Sequence, residues 1–515
     1  MDDRKESQPL VLGIDIGTQG VKAGLVDMNG KVICTSSKDY PTSTPAPGWA
    51  EQDPLLWWEA TVRALRGISQ KNPSEIKRIS GVGLSGQMHG SVVLDKNMRP
   101  LRPCILWCDQ RTSAQCEEIN KTLGKKELIS YVSNPALPGF TAPKLLWIRE
   151  HEPQLYGRIS HLLLPKDFVN LMLTGNLVTD FSDASGTLLF DVKKKRWSSE
   201  VISGLALPES IFPPVIESTH VAGKVSADAS LATGIPEGIP VAAGAADNAA
   251  SAVGMGVINP ESVAVSIGSS GTVLAPTKKP IVDPGMRIHS FCHAVPETWY
   301  LMGVMLSAGL SLRWFRDNLG EPEVTEAAQS GKDAYFFLDR TAESAPPGSG
   351  GLIFLPYLTG ERTPHADPYA RGVFFGIDLT KKRSHLVRSI MEGVAFGLKD
   401  SFILMSQLGV SPKLAVSGGG GSRSKIWKQI QADVFGFPIT ACSQSDTAMF
   451  GAALIGGVAC GMSATIEEAC KRSVSYTETI EPDKSLFERY EKNYRIFREL
   501  YPALKEIFRK SVEDS

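Results

Sequence analysis

The first patterned stretch of the chain is an apolar run, Leu10-Val11-Leu12-Gly13-Ile14, interrupted by one acid, Asp15, before Ile16-Gly17-Thr18. A run of this length closed by glycine reads as a buried strand entering a tight turn. Val21 to Val26 and Lys31 to Cys34 read as two further strands, joined through Asp27-Met28-Asn29-Gly30, whose Asn-Gly pair is a hairpin signal. The opening is therefore a β-meander rather than a strand–helix–strand unit. The period then lengthens: Leu55, Leu56, Trp58, Ala60, Val62 and Leu65 predict a helix from Pro54 to Ser69, with Asp53-Pro54 as cap and first turn. Ile79 to Ser85 reads as a strand ending in glycines, and Thr112 to Asp191 as mostly helical with Pro and Gly breaks. Farther on, Leu414 to Ser417 predicts a strand that runs into Gly418-Gly419-Gly420-Gly421 and an amphipathic helix from Lys425 to Val434. Phe212-Pro213-Pro214 and the segment from Ala345 to Gly351 read as surface connections. Phe487, Tyr490, Tyr494, Phe497 and Tyr501 keep helical spacing, which predicts a helix docked on its own domain, with a homodimer contact as the alternative.

One pattern occurs twice. Ile14-Asp15-Ile16-Gly17-Thr18-Gln19-Gly20-Val21 and Val265-Ser266-Ile267-Gly268-Ser269-Ser270-Gly271-Thr272 match, roughly half of the 515-residue chain apart. Either the match is chance, or two related domains each open on a strand–turn–strand hairpin. The length favours two domains in any case, because single cores stop growing near about 250–300 residues.

Composition narrows the function classes. Lys and Arg number 54 against 55 Asp and Glu, a net of −1, without the basic surface of a nucleic-acid or membrane-surface binder. Apolar residues make up 42%, enough for real cores. The weakly polar stretch from Ile239 to Val257 is broken by Asp247, Asn248 and glycines, so no transmembrane helix is expected. Met1 to Ser7 is polar and of mixed charge, and reads as neither signal nor transit peptide; a cytoplasmic protein is expected. The eight cysteines include no C-x-x-C pair, and the histidines no H-E-x-x-H, so neither a disulfide framework nor a zinc site is indicated.

The remaining question is what the glycine loops hold. No G-x-x-x-x-G-K-[ST] occurs. Gly81-Val82-Gly83-Leu84-Ser85-Gly86 has the dinucleotide spacing, yet β-rich sequence follows it where such a site needs a helix N-terminus. The two hairpin tips suit the phosphates of one ATP, gripped from both sides by backbone N–H groups, the Thr18 hydroxyl and a nearby Lys22. Asp15 has no counterpart at the second tip, where Ser266 stands, and an acid beside phosphates calls for a cation between them. It reads as an Mg²⁺ orienter, with a carboxylate in a surface turn as the alternative. Asp247, among small residues from Val241 to Gly254, is either a helix cap or a carboxylate base that takes a proton from a substrate hydroxyl. The glycines from Gly418 to Gly421 can lie flat against an adenine ring and ribose; plain strand–helix packing is the other reading.

Together these residues resemble the FGGY family of carbohydrate kinases, and within it the xylulokinase branch. Gly139 to His151 is similar to the family's first signature, and Gly372 to Ile377 with His385-Leu386 and Ser389 to Glu392 to its second; the likeness runs from about residue 9 to 500. Trp49 to Pro54 and Gly360-Glu361-Arg362-Thr363-Pro364-His365 also resemble that branch. The resemblance implies an α/β protein with two ribonuclease-H-like, actin-like ATPase domains around a central cleft: a sugar-binding domain over 9–255, a nucleotide-binding domain over 256–465 and a helical extension over 466–515. It implies ATP-dependent phosphorylation of a ketopentose, D-xylulose to D-xylulose 5-phosphate, with Asp247 as base and Asp15 holding Mg²⁺ through water. Gly17, Thr18 and Lys22, then Gly268, Ser269, Ser270 and Gly271, and Gly418, Gly419 and Gly420 fall on its ATP-binding motifs. Gln87, Met88, His89, Trp107, Asp109 and Asn248 fall on the sugar side. Three positions depart from the branch: Cys108 stands where asparagine is common, Ala245 where glycine is frequent, and Met449-Phe450 are bulkier than usual. The alternatives are another ketose or polyol, such as ribulose or a deoxyxylulose, and a non-catalytic actin-like sugar sensor.

Overall fold

The computed structural model describes residues 8–513; the polar stretch Met1 to Ser7, read above for targeting signals, lies outside the described residues. Strands β1 (Leu10–Ile16), β2 (Gly20–Asp27) and β3 (Val32–Asp39) form the expected antiparallel meander, with Asp15 opposite Lys22 and Ile16 opposite Val21 at its first tip. Gly30 takes φ 83° in the second turn, a left-handed conformation that favours glycine. Helix α1 (Pro54–Lys71), capped by the Asp53 side chain on Leu55 N–H, lays Trp57, Ala60, Ala64, Leu65 and Ile68 into the core beneath β2 and β3. Strand β4 (Ile79–Gly86) runs parallel beside β1, and β5 (Val221–Lys224) and β6 (Pro240–Ala242) extend the sheet to the order β5-β6-β4-β1-β2-β3. Helix α2 (Pro165–Thr174) lies against this sheet, and helix α3 (Asp247–Gly254) leaves its end.

The second half repeats the plan. β7 (Ser262–Ile267) and β8 (Gly271–Thr277) form a hairpin, β9 (His289–Cys292) and β10 (Trp299–Met305) follow, and β11 (Leu414–Gly418) and β12 (Ile439–Ala441) complete the order β9-β10-β8-β7-β11-β12. In each half the opening strand pairs antiparallel across the glycine tip and takes a parallel partner on its other side, β4 in one case and β11 in the other. The repeated motif therefore marks two domains of one ribonuclease-H-like design, as in actin-like ATPases. Around the second sheet stand α4 (Gly309–Leu319), α5 (Ala334–Glu343), α6 (Arg383–Gln407) and α7 (Lys425–Phe435).

Helix α8 (Thr447–Ala459) follows the second sheet in sequence but packs on β1 and β4 of the first. A Cβ at Gly83 would fall 1.8 Å from the Ala452 carbonyl oxygen, and one at Gly13 2.2 Å from that of Met449. Where α8 crosses α3, a Cβ at Gly451 would fall 1.8 Å from the Ala250 oxygen and one at Gly254 2.0 Å from the Thr447 oxygen. Backbone meets backbone at these points, and glycine alone allows it. The glycines of the Gly81-x-Gly83 pattern thus admit a helix, in keeping with the exclusion of a dinucleotide loop.

The last helix, α9 (Phe487–Glu513), docks on its own half: the Tyr490, Tyr494 and Tyr501 hydroxyls donate to Glu392, Asp400 and Asp367, and Phe497 is buried. Phe487 stays 53% exposed. The two expected surface connections lie partly at the surface, with Pro214, Pro346, Gly350 and Gly351 exposed, but each also reaches inward. Gly348 N–H and the Ser349 hydroxyl donate to the buried Glu392 carboxylate, and Pro213 is buried with its carbonyl accepting from Trp197 Nε1. Proline and glycine keep both segments out of α-helix and strand, with a 3-10 turn over Ser349–Gly351, but neighbouring polar groups still need partners, and these loops supply them.

Candidate active site

The first tip is held from behind. Thr18 accepts a hydrogen bond on its hydroxyl from Trp107 Nε1 (3.0 Å) and on its carbonyl from Gln52 Nε2 (2.7 Å), while the Tyr40 hydroxyl donates to the Gly17 carbonyl. At the second tip the Gly268 and Ser269 carbonyls accept from Gly309 and Leu310 at the start of α4, at 2.9 and 3.0 Å. Arg313 donates to the Ser269 hydroxyl (2.5 Å). Among the described residues the amides of Thr18, Gln19, Ser269 and Ser270 make no hydrogen bond to protein. Two hairpin tips with their carbonyls engaged and their amides open are what an anion such as a polyphosphate requires.

Asp15 lies in β1 beside the first tip. Its Oδ1 is buried without a hydrogen-bond partner, and burial pushes the carboxyl up to about 6 against the Ser85 hydroxyl and the Lys22 ammonium. Lys22 itself is engaged: its Nζ donates to Asp446 at 2.5 Å, so part of the charge expected for phosphate is already matched. An orphaned carboxylate oxygen near open amides suits a hydrated divalent cation carried mainly by phosphate oxygens. No group of three His, Cys, Asp or Glu residues forms a dedicated metal cage among the described residues.

Asp247 is the first residue of α3 rather than its cap, and Ala246 precedes it without a side-chain capping bond. Oδ1 accepts from Asn248 N (2.7 Å) and Nδ2 (2.9 Å), while Oδ2 has no protein partner among the described residues. Burial first, then the Asp15 carboxylate, push its pKa up to about 7, against those two bonds. The peptide before it is pinned from below: Ala246 N–H donates to the Ser182 hydroxyl (3.0 Å), which donates to Asp180 (2.5 Å), and Asp180 pairs with buried Lys166 of α2 (3.2 Å).

A cavity of about 240 Å³ opens between the halves, lined by Met88, His89, Trp107, Asp247 and Asn248 on one side and Ser266, Gly268 and Ser270 on the other. At about 30 Å³ per water this is room for roughly eight waters, the scale of a small polyol. His89 adopts φ 69°, and its Nδ1 lies 2.5 Å from the Gly186 carbonyl. A carbonyl only accepts, so Nδ1 carries the ring proton and Nε2 is the free acceptor. Burial first, with Lys144 and Arg362 adding, holds the imidazole down at about 3 against the Gly186 bond, hence neutral. Lys144 Nζ ties the turn by donating to the His89 and Gly139 carbonyls, each at 2.8 Å.

A second cavity of about 670 Å³ lies in the second half, between Gly268, Ser269, Arg313 and Arg316 on one side and Gly420, Gly421 and Trp427 on the other, with Tyr335 and Asp339 of α5. It touches the first at Gly268, which lines both. Within the glycine run, Gly420 and Gly421 reach the cavity, whereas Gly418 ends β11 opposite Ser266 and Gly419 lies against the backbone of Ile267.

Two expected sugar-side residues do not line the small cavity. Gln87 Nε2 donates to Gln52 (3.0 Å), which in turn holds Thr18. Asp109 is buried, paired with Arg111 (2.6 Å) and accepting from Ala50 N–H (2.6 Å). Asp109 braces the wall with its carboxylate oxygens already used, and Gln87 braces it through Gln52 while its own Oε1 stays buried without a partner. Conversely Phe140 and Arg362 of the small cavity, and Arg313, Arg316 and Tyr335 of the large one, were not singled out from the sequence. Phe140 and Arg362 stand inside segments that carried the resemblance; the other three had no signal beyond helical spacing.

Known proteins extend this picture. Models of the N-terminal and C-terminal domains of the FGGY family of carbohydrate kinases match residues 10–254 and 263–460. The chain is similar to the xylulose kinase of Lactococcus lactis, 40% identical with 98% of each chain covered, and to that of Bacillus subtilis, 37% identical with 96% of this chain and 97% of the other covered. Among solved structures, a xyloylose kinase from Brucella ovis superposes with a TM-score of 0.89 at 37% identity, covering 97% of this chain and 100% of that one.

Proposed function

The chain belongs to the FGGY family of carbohydrate kinases, and we propose that within this family it transfers the γ-phosphate of ATP to the terminal hydroxyl of D-xylulose, giving D-xylulose 5-phosphate and ADP. One observation carries the reading: the small cavity that contains Asp247 meets the larger glycine-lined cavity at the Gly268 tip, so a sugar in one and a nucleotide in the other face each other across open amides. The relatives' names supply the sugar.

In this reading Asp247 Oδ2 takes the proton of the attacking hydroxyl, while Asn248 keeps Oδ1 occupied and so fixes which oxygen reacts. A carboxyl near 7 is a stronger base than a solvated aspartate and still ionises at neutral pH. His89 Nε2 accepts from a sugar hydroxyl, and Trp107 joins the sugar wall to Thr18 at the phosphate tip. Thr18, Ser269 and Ser270 amides hold the phosphates in line, and Arg313 steadies the second tip. The nucleoside lies against Gly420, Gly421 and Tyr335. Asp15 would orient an Mg²⁺ ion bound with ATP, and that ion would supply neutralisation of the phosphate charge. Phosphoryl transfer needs chiefly alignment and charge stabilisation, and these residues supply both.

Sugar-dependent ADP release tests the assignment. The Asp247→Ala variant is expected to lose on the order of 10²–10⁴ in kcat while still binding D-xylulose. Near-normal turnover by that variant sinks the base assignment, and a wild-type protein that releases no ADP with D-xylulose sinks the substrate.

A further inference from the structure

Arg362 enters the small cavity from the second half, and its guanidinium makes no ion pair or side-chain hydrogen bond among the described residues. Other deeply set arginines behave differently: Arg102, Arg111 and Arg388 each hold a carboxylate at 2.5 to 2.8 Å. The backbone that presents Arg362 is fixed. Its N–H donates to Glu361 Oε1 (2.7 Å), that oxygen also accepts from Leu306 N–H (3.0 Å), and Thr363 N–H donates to the Val304 carbonyl (3.0 Å). Glu361 does not neutralise it, since burial pushes that carboxyl up to about 8 and leaves it protonated at neutral pH.

The position within the cavity can be read from its neighbours. One terminal nitrogen lies 4.0 Å from where a Cβ on Gly139 would stand. That glycine adjoins Phe140, whose ring lies 4.8 Å from the His89 imidazole, and all three residues line the small cavity. Arg362 therefore faces the wall of the cavity formed by Gly139, Phe140 and His89. A half-buried guanidinium at that wall, with no protein anion on it, can donate its N–H groups to oxygens of a ligand.

We infer that Arg362 reads the carbonyl end of the substrate, donating paired hydrogen bonds to the keto oxygen and its neighbouring hydroxyl, and so selects ketoses over the corresponding alditols. The inference rests on the sugar assignment made above. A keto oxygen presents two in-plane lone pairs and no hydrogen of its own, which matches the planar fork. An alditol hydroxyl must turn its hydrogen aside and offers a tetrahedral oxygen, and a site built around such a contact discriminates against it.

The test compares wild type, Arg362→Gln and Arg362→Lys. ADP release is measured with D-xylulose, and xylitol and D-arabinitol are titrated as competitive inhibitors. For Arg362→Gln we expect kcat/KM for D-xylulose to fall about 10- to 100-fold through the sugar KM, with the ATP KM and the alditol inhibition constants within about threefold of wild type. Arg362→Lys, which keeps the charge but loses the fork, falls between. A ketose-to-alditol preference unchanged in Arg362→Gln, or a loss confined to the ATP KM, overturns the inference while leaving the sugar assignment standing. A wild type inactive on D-xylulose instead overturns the sugar assignment itself, and the two failures are told apart by the wild-type assay alone.

Discussion

Replacing Asp247 by asparagine probes the site without any substrate. The new side chain keeps the size of the old one and an oxygen for the Asn248 N–H. What it removes is a carboxylate that burial, and then Asp15, hold at about 7 instead of 3.8. Between those two values the folded protein keeps a proton that the unfolded chain has released. The stabilisation from the protonated form is therefore full below the unfolded value and is lost as pH rises through the folded one. Three units at about 1.4 kcal/mol each set a ceiling of ~4 kcal/mol, of which about two units, ~3 kcal/mol, are lost between pH 5 and 7. Water reaching the carboxylate through the cavity lowers this to about 2–3 kcal/mol. For a domain of about 250 residues, 1 kcal/mol moves Tm by roughly 2–4 °C. The Asp247→Asn variant should thus gain on wild type by roughly 4–12 °C more at pH 8 than at pH 5. Thermal melts of both proteins across that range give the answer. A difference that does not vary with pH, or one larger at pH 5, refutes the buried, repelled carboxylate on which the base assignment depends.

Two other substitutions bear on the same site. Asp15→Asn removes the like charge that acts on Asp247, so the pH at which the advantage of Asp247→Asn stops growing should move down when the comparison is repeated in that background; an unmoved upper limit means the two carboxylates do not interact. Gly186→Ala would place a Cβ 2.8 Å from His89 Nδ1 and 2.9 Å from Met88 Cε. The sugar KM should rise about tenfold or more with the ATP KM within about twofold, and equal changes in both would show that this turn does not hold the sugar.

Much of the first sheet is legible in the chain because its signals are local. An apolar run ending in Gly17-Thr18, an Asn-Gly turn and a capped helix each depend on a few adjacent residues. Asp247 stands out for a similar reason, as an acid set among small residues at a strand–helix junction. The direction in which a polar side chain points is a different matter. Gln87 and Asp109 turn to Gln52 and Arg111, and no spacing pattern records a partner that the fold brings from elsewhere. Arg362 and Arg313 reach the cavities from a loop and from the exposed side of a helix, positions where arginine is ordinary. The seat of α8 on the first sheet was written in the glycines of β1 and β4, but a glycine shows that something comes close without saying what.

That last contact imposes an order in time. A ribosome making this chain releases β1 through β6 while residues 447–459 are still unmade, so the groove floored by Gly13 and Gly83 stands open to solvent or to other chains. The helix that fills it also presses on α3, the segment that begins with Asp247. The first half thus attains its final packing only after the second sheet has been synthesised, and a nascent chain cut short before α8 lacks the brace behind Asp247.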